Sequence, residues 1–388
     1  MKDKVVGLAK ELAPELNELS LEIYNNPELG YEEYKACKLH TDILKKYGFD
    51  VEENFSNVET GFKAEYRSEK PGLTIAYMAE YDALPGVGHG CGHNLLGTVS
   101  TGAGIVLKQL VDEIGGRVIV FGTPAEETSG AKVTFVENGE FDDVDIALIA
   151  HPDNSYRKSG SSLALQPIQF EFYGSSSHAA SSPEKGVNAL DGVIQTFNNI
   201  NALREHFRSD SRVHGVIING GEAANVVPDY AMAQFYIRST TKTYNEELIE
   251  RVKKCAEAGA LATGTELKVS EFEFHYDNMV TNNVLSDVFN EKIYEITGKT
   301  MKEASKNIGS IDTGQVSQVC PTIHPYFDIT NDENIAAHTK EMANATLTDY
   351  AKEQMVNTIA ALVLTASDII QDKDLYNKIK TEFDNTEM

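Results

Sequence analysis

Apolar positions recur at helical spacing from the start of the chain. Val5, Leu8, Leu12, Leu16 and Leu19 lie three or four residues apart and define one apolar stripe. A second helical pattern carries Tyr31, Tyr34, Leu39, Ile43 and Leu44 and stops at Gly48, with Asn25-Asn26-Pro27 as the break between the two. The pattern then changes to short, continuous apolar runs. Leu73–Ala79, Arg117–Gly122 and Asp145–Ala150 read as buried strands, and residues 97–113, rich in Ala, Val, Leu and Ile, read as a helix between the first two. Buried strands alternating with helices predict an α/β domain built on a mainly parallel sheet.

Near residue 165 the runs give way to alternation. Ile168–Phe172 reads as a half-exposed strand, followed by a helix at about 186–206, strands at about 213–219 and 230–238, a helix at about 244–262 and a strand at about 266–274. The order βαββαβ predicts a ferredoxin-like α+β unit with one open sheet face. Helical periodicity returns at about 283–296 and again, over a long stretch, at about 347–370. The expected organisation is a main domain of residues 1–165 and 278–388 interrupted by an inserted domain of residues 166–277. The charged tail after Gln371 reads as loosely held.

Composition narrows the function classes. The 388 residues exceed one ordinary core, and a hydrophobic share of 41% is that of a globular chain. No apolar run is long enough to span a bilayer, and no secretory signal follows Met1, so a cytoplasmic protein is expected. The net charge of −25 repels phosphate backbones and anionic membranes, which argues against nucleic-acid and membrane partners. Cys37, Cys91, Cys255 and Cys320 are scattered through a long chain, a spacing that fits reduced thiols better than a disulfide frame.

Candidate chemistry gathers where the predicted buried strands end. After the first comes Glu80-Tyr81-Asp82-Ala83-Leu84-Pro85-Gly86-Val87-Gly88-His89-Gly90-Cys91-Gly92-His93-Asn94, a glycine-rich loop in which Cys91 and His93 can face one ion. A thiolate and an imidazole suit zinc or a similar metal. After the second comes Pro124-Ala125-Glu126-Glu127. Adjacent carboxylates repel, and a cation beside them relieves that cost; one could bind the metal and the other act as general base. An acidic helix start is the plainer explanation of that pair. After the third comes His151-Pro152. A lone histidine is more often structural, but three successive strand ends delivering Cys/His, Glu and His converge on the sheet edge where α/β proteins bind ligands.

Together with Ser177-His178-Ala179 and His338, these segments resemble the co-catalytic metallopeptidase family of aminoacylases, carboxypeptidase G and succinyl-diaminopimelate desuccinylase. The amidohydrolase branch, with hippurate hydrolase, auxin-conjugate hydrolases, aminobenzoyl-glutamate hydrolase and β-alanyl dipeptidases, is the most similar; Asn26-Pro27-Glu28-Leu29-Gly30 and Asp82-Ala83-Leu84-Pro85 look like its motifs, in its order. The resemblance implies a site for two divalent ions, zinc or manganese with cobalt usable in vitro. Cys91 would bridge them, with His93, Glu127, His151 and His338 completing the shell. It implies Glu126 as general base, Asp82 behind the metals, and His178, on an inserted lid, as donor to the oxyanion. Asn225, Arg238 and Ser310 would meet substrate, a small peptide or N-acyl amino acid, and the lid would join chains into a homodimer or homotetramer. The chain departs from the branch at Glu80, where Asp is usual, at Gly90, where Ala is usual, and at Asn94, again for Asp. The segments Gly309–Gly314 and His324-Pro325-Tyr326-Phe327 look more like the aminobenzoyl-glutamate and β-alanyl members.

Two other readings compete. Cys91 could be a nucleophile with His89 or His93 as its base, which needs no metal. Alternatively the chain could bind metal or peptide without catalysis, a role for which Glu126 has no use.

Overall fold

A computed structural model describes residues 1–305 and 309–386. The chain opens with α1 (Lys2–Asn25) and α2 (Tyr34–Lys46), then enters the sheet through β1 (Asp50–Glu53), β2 (Phe62–Arg67) and β3 (Thr74–Ala79). The helix α3 (His93–Ile114) leads to β4 (Arg117–Gly122), and α4 (Ala131–Glu137) to β5 (Ile146–Leu148) and the short β6 (His151–Asp153). An insertion follows: β7 (Ala164–Tyr173), α5 (Ala189–Leu203), β8 (Arg212–Asn219), β9 (Tyr230–Ser239), α6 (Lys242–Thr263) and β10 (Glu266–Ser270). The chain returns with α7 (Asn283–Thr297), α8 (Thr313–Ser317), β11 (Thr322–Ile323), β12 (Tyr326–Asp328), α9 (Lys340–Ala345), α10 (Asp349–Gln371) and α11 (Lys373–Asn385). Two compact units result, one of Met1–Ser161 with the chain from Met279 onward, the other Ser162–Asn278.

In the first unit the sheet order is β1-β2-β4-β3-β5-β11. The pairs β4/β3, β3/β5 and β5/β11 are parallel, and β1 and β2 add an antiparallel edge. The continuous apolar runs follow from burial on both faces. Ile75, Tyr77, Val118 and Val120 pack on the side of α1, α3 and α10, while Ala76, Met78, Ile119 and Phe121 pack opposite with Phe135 and Phe141. Register aligns Ala79 with Gly122 and Tyr77 with Leu148, so the loops after β3, β4 and β5 leave one edge of the sheet.

The second unit is a four-stranded antiparallel sheet in the order β10-β7-β9-β8 with two helices, the ferredoxin-like order. Its core joins Phe170, Phe172 and Phe235 to Val193 and Ile200 of α5 and Leu248 and Val252 of α6.

The tail after Gln371 is a helix rather than a loose segment. The Asp372 side chain caps α11, Ile379 is fully buried, and its carbonyl accepts from the Asn282 amide. Leu375 and Tyr376 also pack against the core, and Glu382 accepts from the Asn283 and Val284 N–H groups, so a few apolar and polar contacts dock a helix that its charged residues made look solvated.

Candidate metal centre

The first unit brings five side chains from four loops to the shared sheet edge. Gly92 takes a left-handed backbone (φ 80°) as α3 begins, which puts Cys91 just outside the helix and His93 in its first turn. Gly90 permits the close approach of the His338 segment, whose N–H donates to the Gly90 carbonyl at 2.9 Å; a methyl group at Gly90 would lie 3.1 Å from the Thr339 carbonyl. Two non-glycine residues here hold positive φ, Ala125 (65°) and His338 (64°), the kind of local strain that persists where surrounding contacts enforce it.

Cys91 is common to two donor groups. Its Sγ lies 3.5 Å from His151 Nε2 and 3.6 Å from His338 Nε2. Cys91, His93 and His151 form one triad and Cys91, Glu127 and His338 another, the donor atoms of each lying within 4.8 Å of one another; His93, Glu126 and Glu127 form a third such group. Outer contacts fix which nitrogen faces inward. His93 Nδ1 bonds to Asp82 Oδ1 at 2.9 Å and His151 Nδ1 to the Pro152 carbonyl at 2.7 Å, leaving Nε2 of each turned to the cluster. Asp82 also accepts the Glu127 N–H through Oδ2 at 2.9 Å, so one carboxylate ties two of the loops together. The residues fit a metal on a specific observation: His93 Nε2 and Glu127 Oε1 are buried without a hydrogen-bond partner.

Electrostatics divides the adjacent glutamates. Burial opposes ionisation of Glu127, but its contact with His338 (3.4 Å) and the charge of His93 outweigh it and lower the carboxyl to about 2. Burial, then the charges of Glu80, Asp312 and Glu127, push Glu126 well above the usual carboxylate range. Burial also pushes the Cys91 thiol up. A nucleophilic cysteine needs the opposite shift, and His89, one proposed base, is buried with Nε2 against the Ile23 carbonyl at 3.2 Å.

Three of the remaining expected residues, His178, Asn225 and Arg238, belong to the second unit. His178 and Asn225 are in the inserted unit and adjoin one another: His178 bridges Val226, and the Ala179 N–H donates to the Asn225 carbonyl at 3.0 Å. His178 Nδ1 accepts the N–H groups of Ala180 and Ser181, both at 3.2 Å, so the proton sits on Nε2 of an exposed ring. Arg238 is at the far end of β9, eight residues beyond Tyr230, about 25 Å by strand rise. Ser310 lies in the loop before α8, half-buried.

Sequence reasoning gave no role to several residues around the cluster. Lys132 is fully buried and binds Glu80 Oε1 and Asp312 Oδ1, each at 2.7 Å. Its signal was a lone lysine in the otherwise apolar start of α4. Glu33, also fully buried, accepts from the Ala125 N–H at 2.8 Å and the Thr60 hydroxyl at 2.9 Å, bracing the strained residue before Glu126. His324 and Tyr326 lie tilted beside His151, with ring centroids 5.5 Å from it.

Comparison with known proteins places the chain among relatives of known activity. Residues 167–263 match the M20-type peptidase dimerisation domain. The mouse Xaa-Arg dipeptidase is 33% identical over 402 aligned positions, covering 99% of this chain and 92% of the relative. A component chain of the Escherichia coli p-aminobenzoyl-glutamate hydrolase is 37% identical over 266 positions, covering 63% of this chain and 55% of that protein. Among solved structures, a dinuclear metal-binding peptidase of the M20 family from Bacillus subtilis superposes with a TM-score of 0.66 at 18% identity, over 92% of this chain and 99% of that one. Fold and relatives define a metal-dependent hydrolase of peptide or amide bonds. The chain belongs to the M20 metallopeptidase family. Among the described residues no helix is long and apolar enough to cross a membrane.

Proposed function

We propose that the chain hydrolyses the amide bond of a small peptide or N-acyl amino acid at a dinuclear centre of Cys91, His93, Glu127, His151 and His338. The observation that carries this is the sharing of Cys91 between two separate donor triads. Zinc or manganese suits the mixed sulfur, nitrogen and oxygen set, and cobalt would serve in vitro. Bound ions would supply Lewis acidity toward the scissile carbonyl and lower the pKa of water. Glu126, beside the ligand Glu127 but not committed to a cation, takes the proton from water and passes it to the leaving nitrogen. Asp82 holds His93 in the ligating tautomer and fixes the Glu127 backbone. His178, with its proton on Nε2, donates to the oxyanion.

Substrate contacts are assigned to Asn225, Arg238 and Ser310, with the Arg238 guanidinium suited to a carboxylate. The inserted unit serves as the dimerisation lid of the surrounding metal-binding domain, and chains associate through it as a dimer or tetramer. The edge strand β8 supports this: Val216, Ile217 and Ile218 are 55, 41 and 49% exposed in succession, so both faces of an unpaired edge are apolar. Arg238 lies at the end of β9 and Asn225, beside His178, lies before its start, which favours their serving sites of different copies. Four unbridged cysteines support a reducing, cytoplasmic setting.

Metal analysis of the purified chain, followed by a screen of dipeptides, including Xaa-Arg, and of N-acyl amino acids, including aminobenzoyl-glutamate, tests the reading. Two ions per chain and chelator-sensitive hydrolysis are expected. Hydrolysis that survives complete metal removal would overturn it.

A further inference from the structure

Glu80 follows the last residue of β3 and is 1% exposed, and Lys132, which holds its Oε1, is 0% exposed. The other oxygen, Oε2, is buried without a hydrogen-bond partner. It lies 3.3 Å from His93 Nε2, which is also buried and unpartnered. The opposite nitrogen of His93 is already bonded to Asp82. In neutral His93 the inward nitrogen bears a lone pair, so a carboxylate oxygen and an imidazole lone pair would face one another in a dry site. That arrangement is repulsive unless a second proton on His93 or a bound cation serves both, and a cation can take the place of that proton.

The surroundings hold Glu80 in this pose. Lys132 spans Glu80 and Asp312, and the Asp312 carboxylate reaches it because position 130 is glycine; a Cβ there would lie 2.0 Å from Asp312 Oδ2. One lysine against two carboxylates leaves this buried trio one negative charge in excess, directed toward His93. The departure from aspartate at position 80 places the carboxylate one methylene farther from the backbone.

We propose that Glu80, oriented by Lys132, is a further donor of the metal centre, facing the ion carried by Cys91, His93 and His151. The inference rests on the dinuclear reading above. It is tested on the full chain, stripped with a chelator and reconstituted with zinc, by counting bound ions with mass spectrometry and titrating affinity against a chromophoric chelator. The wild type should hold two ions. Glu80→Gln, which keeps the side chain's size and an acceptor for Lys132, should weaken one ion by about 10–100-fold and leave the other unchanged. Glu80→Asp, which keeps the charge but withdraws it, should also weaken that ion, and it stands in should the glutamine variant fail to give a wild-type far-UV spectrum when metal-free. Wild-type affinity for both ions in a folded Glu80 variant would overturn the proposal while leaving the dinuclear reading intact. A wild-type chain that binds no metal would overturn both.

Discussion

Glu126 and Glu127 are consecutive and chemically identical, yet their surroundings separate them. Contact with His338 and the charge of His93 keep Glu127 ionised, whereas burial and three neighbouring carboxylates raise Glu126. Glu126→Gln should therefore retain its metal and lose turnover by about 10²–10⁴-fold. Glu127→Gln should lose metal as well as activity, since it removes an anionic donor. Metal content by mass spectrometry beside kcat distinguishes them, and equal metal loss in both variants would reject the division of labour. Cys91 gives a pH prediction at the same scale. Its thiol is raised by burial, so the metal-free protein keeps the proton at neutral pH and must release it to bind an ion as thiolate. Zinc affinity should rise with pH across the neutral range, with net proton release in calorimetry run in buffers of different ionisation enthalpy. Metal uptake with no proton release would remove Cys91 from the ligand set.

At the scale of elements, the strands were legible because burial on both faces leaves runs such as Thr74–Ala79 that admit few polar residues. The edge strands β1 and β2 escaped notice, since partial exposure mixes Glu, Lys and Arg into them. Short elements such as β6, β11 and β12 are set by pairing partners far away in sequence and carry too few residues for a period. The strand ends bearing Cys91, Glu127 and His151 stood out because their residue types are costly without a shared task. Lys132 and Glu33 did not, because a buried charge is recognisable only once its partners are known. The loop before α5 yields a prediction of its own. The exposed His178 side chain accepts through Nδ1 from neighbouring backbone N–H groups, so His178→Ala should leave the thermal melt unchanged. Loss of an oxyanion donor should lower kcat by about 10²–10³-fold, and near-normal turnover would exclude the role.

At the scale of the whole molecule, the open question is what covers β8. Only Val213 of its apolar residues is buried, and the strand has a paired neighbour on one side alone. An edge with exposed Val216, Ile217 and Ile218 invites pairing with a second copy, which would extend the sheet and bury apolar groups on both faces at once. Lysine at an edge position disfavours such pairing without disturbing a strand that already tolerates exposure. Ile217→Lys should therefore convert an oligomer into monomers by sedimentation at micromolar concentration, with the fold of each chain retained. A wild-type monomer under the same conditions would refute the interface. If His178 of one copy serves the site of the other, monomers should also lose turnover while keeping their metal. Mixing Glu126→Gln chains with His178→Ala chains under exchange should then restore about a quarter of wild-type activity, because half of the random dimers are mixed and each holds one intact site. Unrestored mixtures of demonstrated heterodimers would place His178 in its own chain's site, and the monomeric variant would be expected to keep its turnover.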